Sequence, residues 1–158
     1  MKNTKKLIAV LFLSIFIHSC GYTVNKKSLE NDFNIKDFFM TGESRINYAI
    51  KNDLLLSSNS QSQKLLILNI NTKKNRSIKN KNENNEITDY QLTLLGDVTI
   101  KFLDNTNEKT FRVTETGNYK VSKYRLDTLN NEKKMIQIMS ENMTKKILNR
   151  ISSLNNDS

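Results

Sequence analysis

From Thr88 to Leu103 the chain alternates between apolar and polar positions without a slip. Tyr90, Leu92, Leu94, Gly96, Val98, Ile100 and Phe102 share one parity. Asp89, Gln91, Thr93, Asp97, Thr99 and Lys101 share the other, with Leu95 the exception. A period of two is that of a strand with one buried face. Because the parity is unbroken, no single-residue bulge is expected at Gly96. After a turn over Asp104–Lys109, a second strand is predicted over Thr110–Tyr124. There Phe111, Val113, Tyr119 and Val121 fall on one parity, with Glu115 and Gly117 on the same face. Matching the apolar faces predicts that Phe102 faces Phe111, Ile100 faces Val113, Leu94 faces Tyr119 and Leu92 faces Val121. Gly96 then faces Gly117, leaving a gap that Met139 or Met143 of a closing helix would fill. Asp104 and Lys109 would stand together at the turn.

The remaining pattern supplies four more elements. Phe33 and Ile35, with Asp37 on the same parity, predict a short strand over Asp32–Phe38. Thr41-Gly42-Glu43-Ser44 precedes Ile46, Ala49, Ile50 and Leu54 at helical spacing, so a helix is predicted over Glu43–Leu56. A Ser/Asn/Gln linker follows over Ser57–Gln63. Leu65–Ile70 is apolar on both parities, as in a strand covered on both faces. Lys73–Glu86 is almost wholly Lys, Asn, Glu and Ser, with nothing to offset its ordering entropy, and reads as a mobile connection. Leu129, Ile136, Met139, Met143, Ile147 and Ile151 form one stripe of a helix over Leu126–Leu154, with Met135 and Leu148 flanking it. Asp127 or Thr128 is the candidate cap, with Glu132 in the first turns. The methionines read as core filler. The expected fold is α+β, a two-layer sandwich in the order β-α-β-β-β-α, with two helices on one face of a four-stranded sheet.

The first twenty residues form a separate unit. Lys2, Lys5 and Lys6 precede the apolar run Leu7–Ile17, and Ser19 stands just before Cys20. A charged start, a short apolar core and a small residue mark a secretory signal, and the run is well short of the ~20 residues that span a bilayer. Cysteine at the cut resembles a bacterial lipobox, in which the thiol takes a diacylglyceryl group and the new amine an acyl chain. With about 0.8 kcal/mol per buried methylene, two or more chains anchor stably where one does not. The expected organisation is a removed signal at 1–19, a lipidated linker at 20–30, one domain at 31–154 and a flexible tail at 155–158. Gly21 stands where an aspartate would, in some bacteria, retain the protein at the inner membrane, so outer-membrane delivery is expected.

Composition narrows the chemistry further. The sole cysteine is taken by the anchor, which leaves none for a disulfide. His18 is the sole histidine and departs with the signal. That excludes Ser-His-Asp and Cys-His catalysis and His- or Cys-ligated zinc, while two-carboxylate and Ser-Lys arrangements stay formally open. No glycine-rich phosphate loop is present. The expectation is no enzyme, no catalytic or metal-ligating residue, no cofactor beyond the covalent lipid and no nucleic-acid partner. The formal charge is +9, three of whose lysines lie in the signal. A basic surface suits anionic lipid or lipopolysaccharide phosphates. The Asn-, Lys- and Ile-rich composition, with no Pro or Trp, equally fits a coding bias. Lys73, Lys74, Arg76, Lys79 and Lys81 are the densest basic cluster. They are either a lipopolysaccharide site or a solvated hairpin tip.

Cys20-Gly21-Tyr22 resembles the start common in the lipopolysaccharide-assembly lipoprotein family, LptE. Ile87–Leu94 is similar to that family's third strand, Gly117–Val121 to its fourth, and Asp127–Arg150 to its closing helix, although alanines are common there in some members. The resemblance implies an outer-membrane lipoprotein, lipid-anchored and facing the periplasm, that sits in the lumen of the LptD β-barrel. It implies lipopolysaccharide as ligand and the barrel as partner. Only Cys20, the acylation site, transfers residue by residue. A secretin pilot, an envelope scaffold and a carboxylate-dependent envelope hydrolase are the alternatives.

Overall fold

The computed structural model describes residues 32–104 and 108–156, the side chains only as far as 154 at the C-terminal end. The signal, Cys20 and the linker at 20–30 lie outside the described residues. The order is β1 (Asn34–Gly42), α1 (Ser44–Ser57), β2 (Leu65–Lys81), β3 (Ile87–Phe102), β4 (Glu108–Lys120) and α2 (Arg125–Asn156). The sheet runs β1-β2-β3-β4, with β1 parallel to β2 and the other pairs antiparallel. Both helices close one face, giving the expected two-layer α+β fold. No helix among the described residues is long and apolar enough to cross a membrane.

β1 is longer than the apolar pattern predicts. Phe33 and Ile35 are buried, but the register shifts between Ile35 and Asp37. The shift moves the inward face to Phe38 and Met40 and leaves Asp37 exposed, not on the face of Phe33 and Ile35. β1 ends at Gly42, whose φ is +95° and whose Cβ position lies 1.9 Å from the Thr72 carbonyl oxygen. That backbone conformation and that space admit only glycine. Thr72, itself buried, then ties the turn together. Its hydroxyl accepts from the Glu43 N–H at 3.0 Å and donates to Asn47 Oδ1 at 2.7 Å, while Asn47 Nδ2 donates to the Thr41 carbonyl at 3.0 Å. α1 thus starts without a side-chain cap on its N-terminal N–H groups and is fixed instead by β2. Ile46, Ile50 and Leu54 form its buried face.

Two expectations for β2 are overturned. Leu65 and Ile67 are only half-buried, because the helices cover one face of the sheet and not both. The stretch expected to be mobile is strand as far as Lys81. β2 pairs with β3 from Leu66–Phe102 to Lys81–Ile87, so hydrogen bonds to a strongly patterned neighbour replace burial as the ordering force. The tip is a built turn: Asn82 Oδ1 accepts the N–H groups of Asn84 at 3.1 Å and Glu86 at 2.9 Å, and Asn85 takes φ 64°.

The β3–β4 faces are as expected, but the register is not. Phe111 pairs with Val98, Val113 with Gly96 and Gly117 with Leu92. Each β4 residue sits four positions along β3 from its expected partner. An even slip keeps every side chain on its face, so the apolar pattern is indifferent to it. The outward face decides. Arg112 grips Asp97 through Nε–Oδ1 at 2.6 Å and Nη2–Oδ2 at 3.1 Å, and the Thr99 and Thr110 hydroxyls meet at 3.0 Å. Lys109 pairs opposite Ile100 in the ladder, not with Asp104 at a turn.

The two glycines are therefore separate points of close approach. A Cβ on Gly96 would meet the Met143 methyl at 2.7 Å, and one on Gly117 would meet the Met135 sulfur at 2.5 Å and the Met139 sulfur at 2.9 Å. The buried stripe of α2 runs from Ile136 to Ile151, with Ser140 and Thr144 bonding back to the carbonyls one turn earlier. Leu129, expected on that stripe, is 48% exposed because the first two turns of α2 overhang the core.

Substitution by alanine should separate these glycines. Gly42→Ala should lower stability by about 1–3 kcal/mol through backbone strain alone, with a backbone clash added. Gly117→Ala should rank second, against two packed methionines. Gly96→Ala should be mildest, since one flexible methyl can move. Urea midpoints of the three variants check the order.

Candidate functional site

The long β2 splits the basic cluster. Lys73 lies on the exposed face opposite Leu95, Lys79 sits at the irregularity between Ile78 and Asn80, and Lys81 donates to Asn85 at the tip, 2.8 Å away. Lys74 and Arg76 continue the inward parity of Ile70 and Thr72, beyond the end of β1. Only these two of the five predicted residues are brought together, and the bridge is Glu132 from the overhanging start of α2. Lys74 Nζ donates to Glu132 Oε1 at 3.1 Å, and Arg76 Nη1 stands 3.8 Å from Oε2. The Tyr119 hydroxyl donates to Oε2 at 3.3 Å.

Aromatic rings hold this junction in place. Tyr90 and Tyr119, paired across β3 and β4, stack with centroids 5.6 Å apart. The Arg76 guanidinium lies 4.8 Å over the Tyr90 ring, a contact of about 0.5–2 kcal/mol depending on desolvation. Contact with Tyr119, above all, holds Arg76 in its charged form, and burial raises the Tyr119 phenol above its ordinary value.

Two grooves flank Glu132. One, of about 380 Å³, runs between the starts of the two helices and is lined by Glu43, Arg45, Ile46, Lys74, Leu126, Leu129, Lys133 and Ile136. The other, of about 410 Å³, lies between the sheet end and α2 and is lined by Arg76, Tyr90, Tyr119, Val121, Lys123, Arg125 and Leu129. Leu126 is 73% exposed and Tyr124, beside them in sequence, 66%. This end of the molecule thus combines six cations with exposed apolar side chains, which is the chemistry that suits an amphiphile bearing negative charge. Arg45, Lys123, Arg125, Lys133, Glu132 and the two tyrosines were missed from sequence. The available signal was Lys123 and Arg125 interleaved with Tyr124 and Leu126.

One further polar feature lies away from the grooves. Glu115, on the apolar face of β4, is 2.5 Å from Lys146 Nζ, which directs its hydrogen bond to the Thr114 carbonyl at 3.0 Å. A third cavity, of about 400 Å³, lies between α1 and α2 beside Tyr48, Asp53, Ser140 and Glu141 and adjoins the first groove through Arg45, Lys133 and Ile136. Among the described residues, no group of three or more His, Cys, Asp or Glu is placed to hold a metal ion.

Neither a protein-family model nor a curated protein sequence matches the chain. Solved structures do share its fold. The rare lipoprotein B of Shewanella oneidensis superposes with TM-score 0.60 at 11% identity, over 77% of this chain and 97% of that one. A lipoprotein from Caulobacter crescentus gives 0.55 at 12%, over 81% and 93%. A lipoprotein B from Nitrosomonas europaea gives 0.53 at 10%, over 80% and 89%. At such identities the likeness is one of fold.

Asp53 offers a test of the interhelical electrostatics. Burial, then the nearby Glu141 charge, raises its carboxyl above the ordinary 3.8. The folded state therefore holds the proton more tightly than the unfolded chain, and stability declines as pH rises from about 3.8 through the folded value. Asp53→Asn should raise the melting temperature at pH 7 and bring no gain below the unfolded value. Melting curves across pH 3–7 check the sign.

Proposed function

We propose that this protein is an outer-membrane lipoprotein, anchored through Cys20, that binds lipopolysaccharide and assists its assembly as the lumen partner of an LptD-type β-barrel. The observation that carries the reading is the convergence of Lys74 and Arg76 with Arg45, Lys123, Arg125 and Lys133 beside exposed Leu126 and Leu129. Cations would meet the phosphates and the leucines the first methylenes of the acyl chains. The fold shared with solved bacterial lipoproteins and the Cys20-Gly21-Tyr22 start point the same way. The open face of the sheet supports a barrel partner. Thr99, Thr110, Thr114, Thr116, Asn118 and the Asp97–Arg112 pair stand there in rows, a surface suited to the polar interior of a barrel. No step in this reading needs a catalytic residue or cofactor.

Lys74→Gln with Arg76→Gln should weaken binding of a phosphorylated glycolipid about tenfold or more. Lys73→Gln with Lys79→Gln and Lys81→Gln should change it little. Titrations of the two combined variants separate the grooves from the hairpin, and a loss confined to the Lys73, Lys79 and Lys81 variant would move the site to the hairpin. Co-purification with a large outer-membrane barrel tests the partner; recovery with a secretin or with no barrel would favour the pilot or scaffold alternatives.

Cys20→Ala should leave the protein either soluble or with its signal uncleaved, while its circular dichroism stays that of the wild type. Among the described residues the buried core runs from Phe33 to Ile151. Fractionation and far-ultraviolet spectra check both halves of the expectation.

A further inference from the structure

Glu132 lines both grooves and is 15% exposed, while the cations it faces, Lys74 at 28% and Arg76 at 53%, are more open to solvent. Its carboxylate occupies the place where an incoming phosphate would be met by both cations. The cations do not depend on Glu132 alone for their position. Both rise from one face of β2, two residues apart and so about 7 Å along the strand, and Arg76 is oriented by Tyr90 and Tyr119. The guanidinium, 3.8 Å from the carboxylate, stands beyond hydrogen-bond reach of it. A carboxylate cannot match the oxygen count or the charge of a phosphate group, but held in place it competes without any loss of translational freedom.

Resting on the reading above, we propose that Glu132 is a built-in competitor for the phosphate of the ligand, a displaceable carboxylate that limits affinity so that the lipid is passed on and not retained. Binding then exchanges one anion for another between Lys74 and Arg76. The acyl end lies over Leu126 and Leu129. An unpartnered cation pair would hold the headgroup more tightly and release it more slowly.

The test compares the mature lipoprotein with its Glu132→Gln variant in detergent, titrated with diphosphoryl lipid A, its dephosphorylated form and inorganic pyrophosphate. Removing one negative charge a few ångströms from the phosphate, at partial exposure, should tighten diphosphoryl lipid A binding about tenfold, chiefly by slower release. Binding of the dephosphorylated lipid should not change. Pyrophosphate should gain by a similar factor but bind more weakly than the lipid; pyrophosphate binding as tightly as diphosphoryl lipid A would overturn the acyl half of the proposal. Glu132→Asp, which draws the charge back by one methylene, should give a smaller gain and serves if Glu132→Gln fails to fold, as judged by circular dichroism. Wild type that binds, with a folded variant that binds equally or more weakly, overturns the competitor role and leaves the proposed function standing. Absence of binding by both proteins overturns the proposed function and the competitor role with it.

Discussion

The long antiparallel ladder between β2 and β3 is the constraint on which the rest depends. It runs from Leu66 with Phe102 to Lys81 with Ile87, and every other element is placed by it. Its lower half carries Leu66, Leu68, Ile70, Val98 and Ile100, and its upper half carries Leu94 and Leu92 opposite Lys74 and Arg76, all seven apolar side chains fully buried. At roughly 1.5–3 kcal/mol for each such side chain, this face drives both helices onto one side of the sheet. Its upper half has no apolar side chain between Thr72 and Ile78 on β2, yet the backbone pairing continues. The ladder therefore carries Lys74 and Arg76 past the end of β1 to meet the start of α2.

Close approach between that sheet and α2 follows from two glycines and three methionines. Gly96 receives Met143, and Gly117 receives Met135 and Met139. An unbranched thioether fills an irregular gap that a β-branched side chain would not. The same contacts set the long helix lengthwise against the sheet, which is why its first two turns project beyond the core. Leu126 and Leu129 are exposed there for that reason, and Glu132 reaches the cations of β2. A packing detail in the core thus determines the chemistry at the end of the molecule.

Polar groups on the two faces of the sheet do different things. Outward, the Asp97–Arg112 pair and the Thr99–Thr110 contact select the register of β4. The hydrogen bond from Arg112 holds the Asp97 carboxyl below its ordinary value. Inward, Glu115 and Glu132 each take a lysine at the margin of the core. Inward charge at such positions is tolerated only when paired, so each pair marks where the apolar layer ends.

The sequence by itself determined the element order, the helix stripes apart from Leu129, and the inward parity of β3 and β4, because those follow from local periodicity and the free energy of burying one face. Gly96 and Gly117 were legible as places for methionines. Register was not, since a four-residue slip leaves every apolar side chain inward and only the partners on the outer face distinguish the alternatives. The shift near Lys36 was hidden for a similar reason: Phe38, Phe39 and Met40 are apolar on both parities. The Lys73–Glu86 stretch was misread because composition reports what a segment can bury and not what its neighbour can pair with. The candidate site was half legible. Lys74 and Arg76 stood among five similar cations, and only the fold could choose them, by continuing the parity of β2 upward and bringing Glu132, fifty-eight residues on from Lys74, to face them.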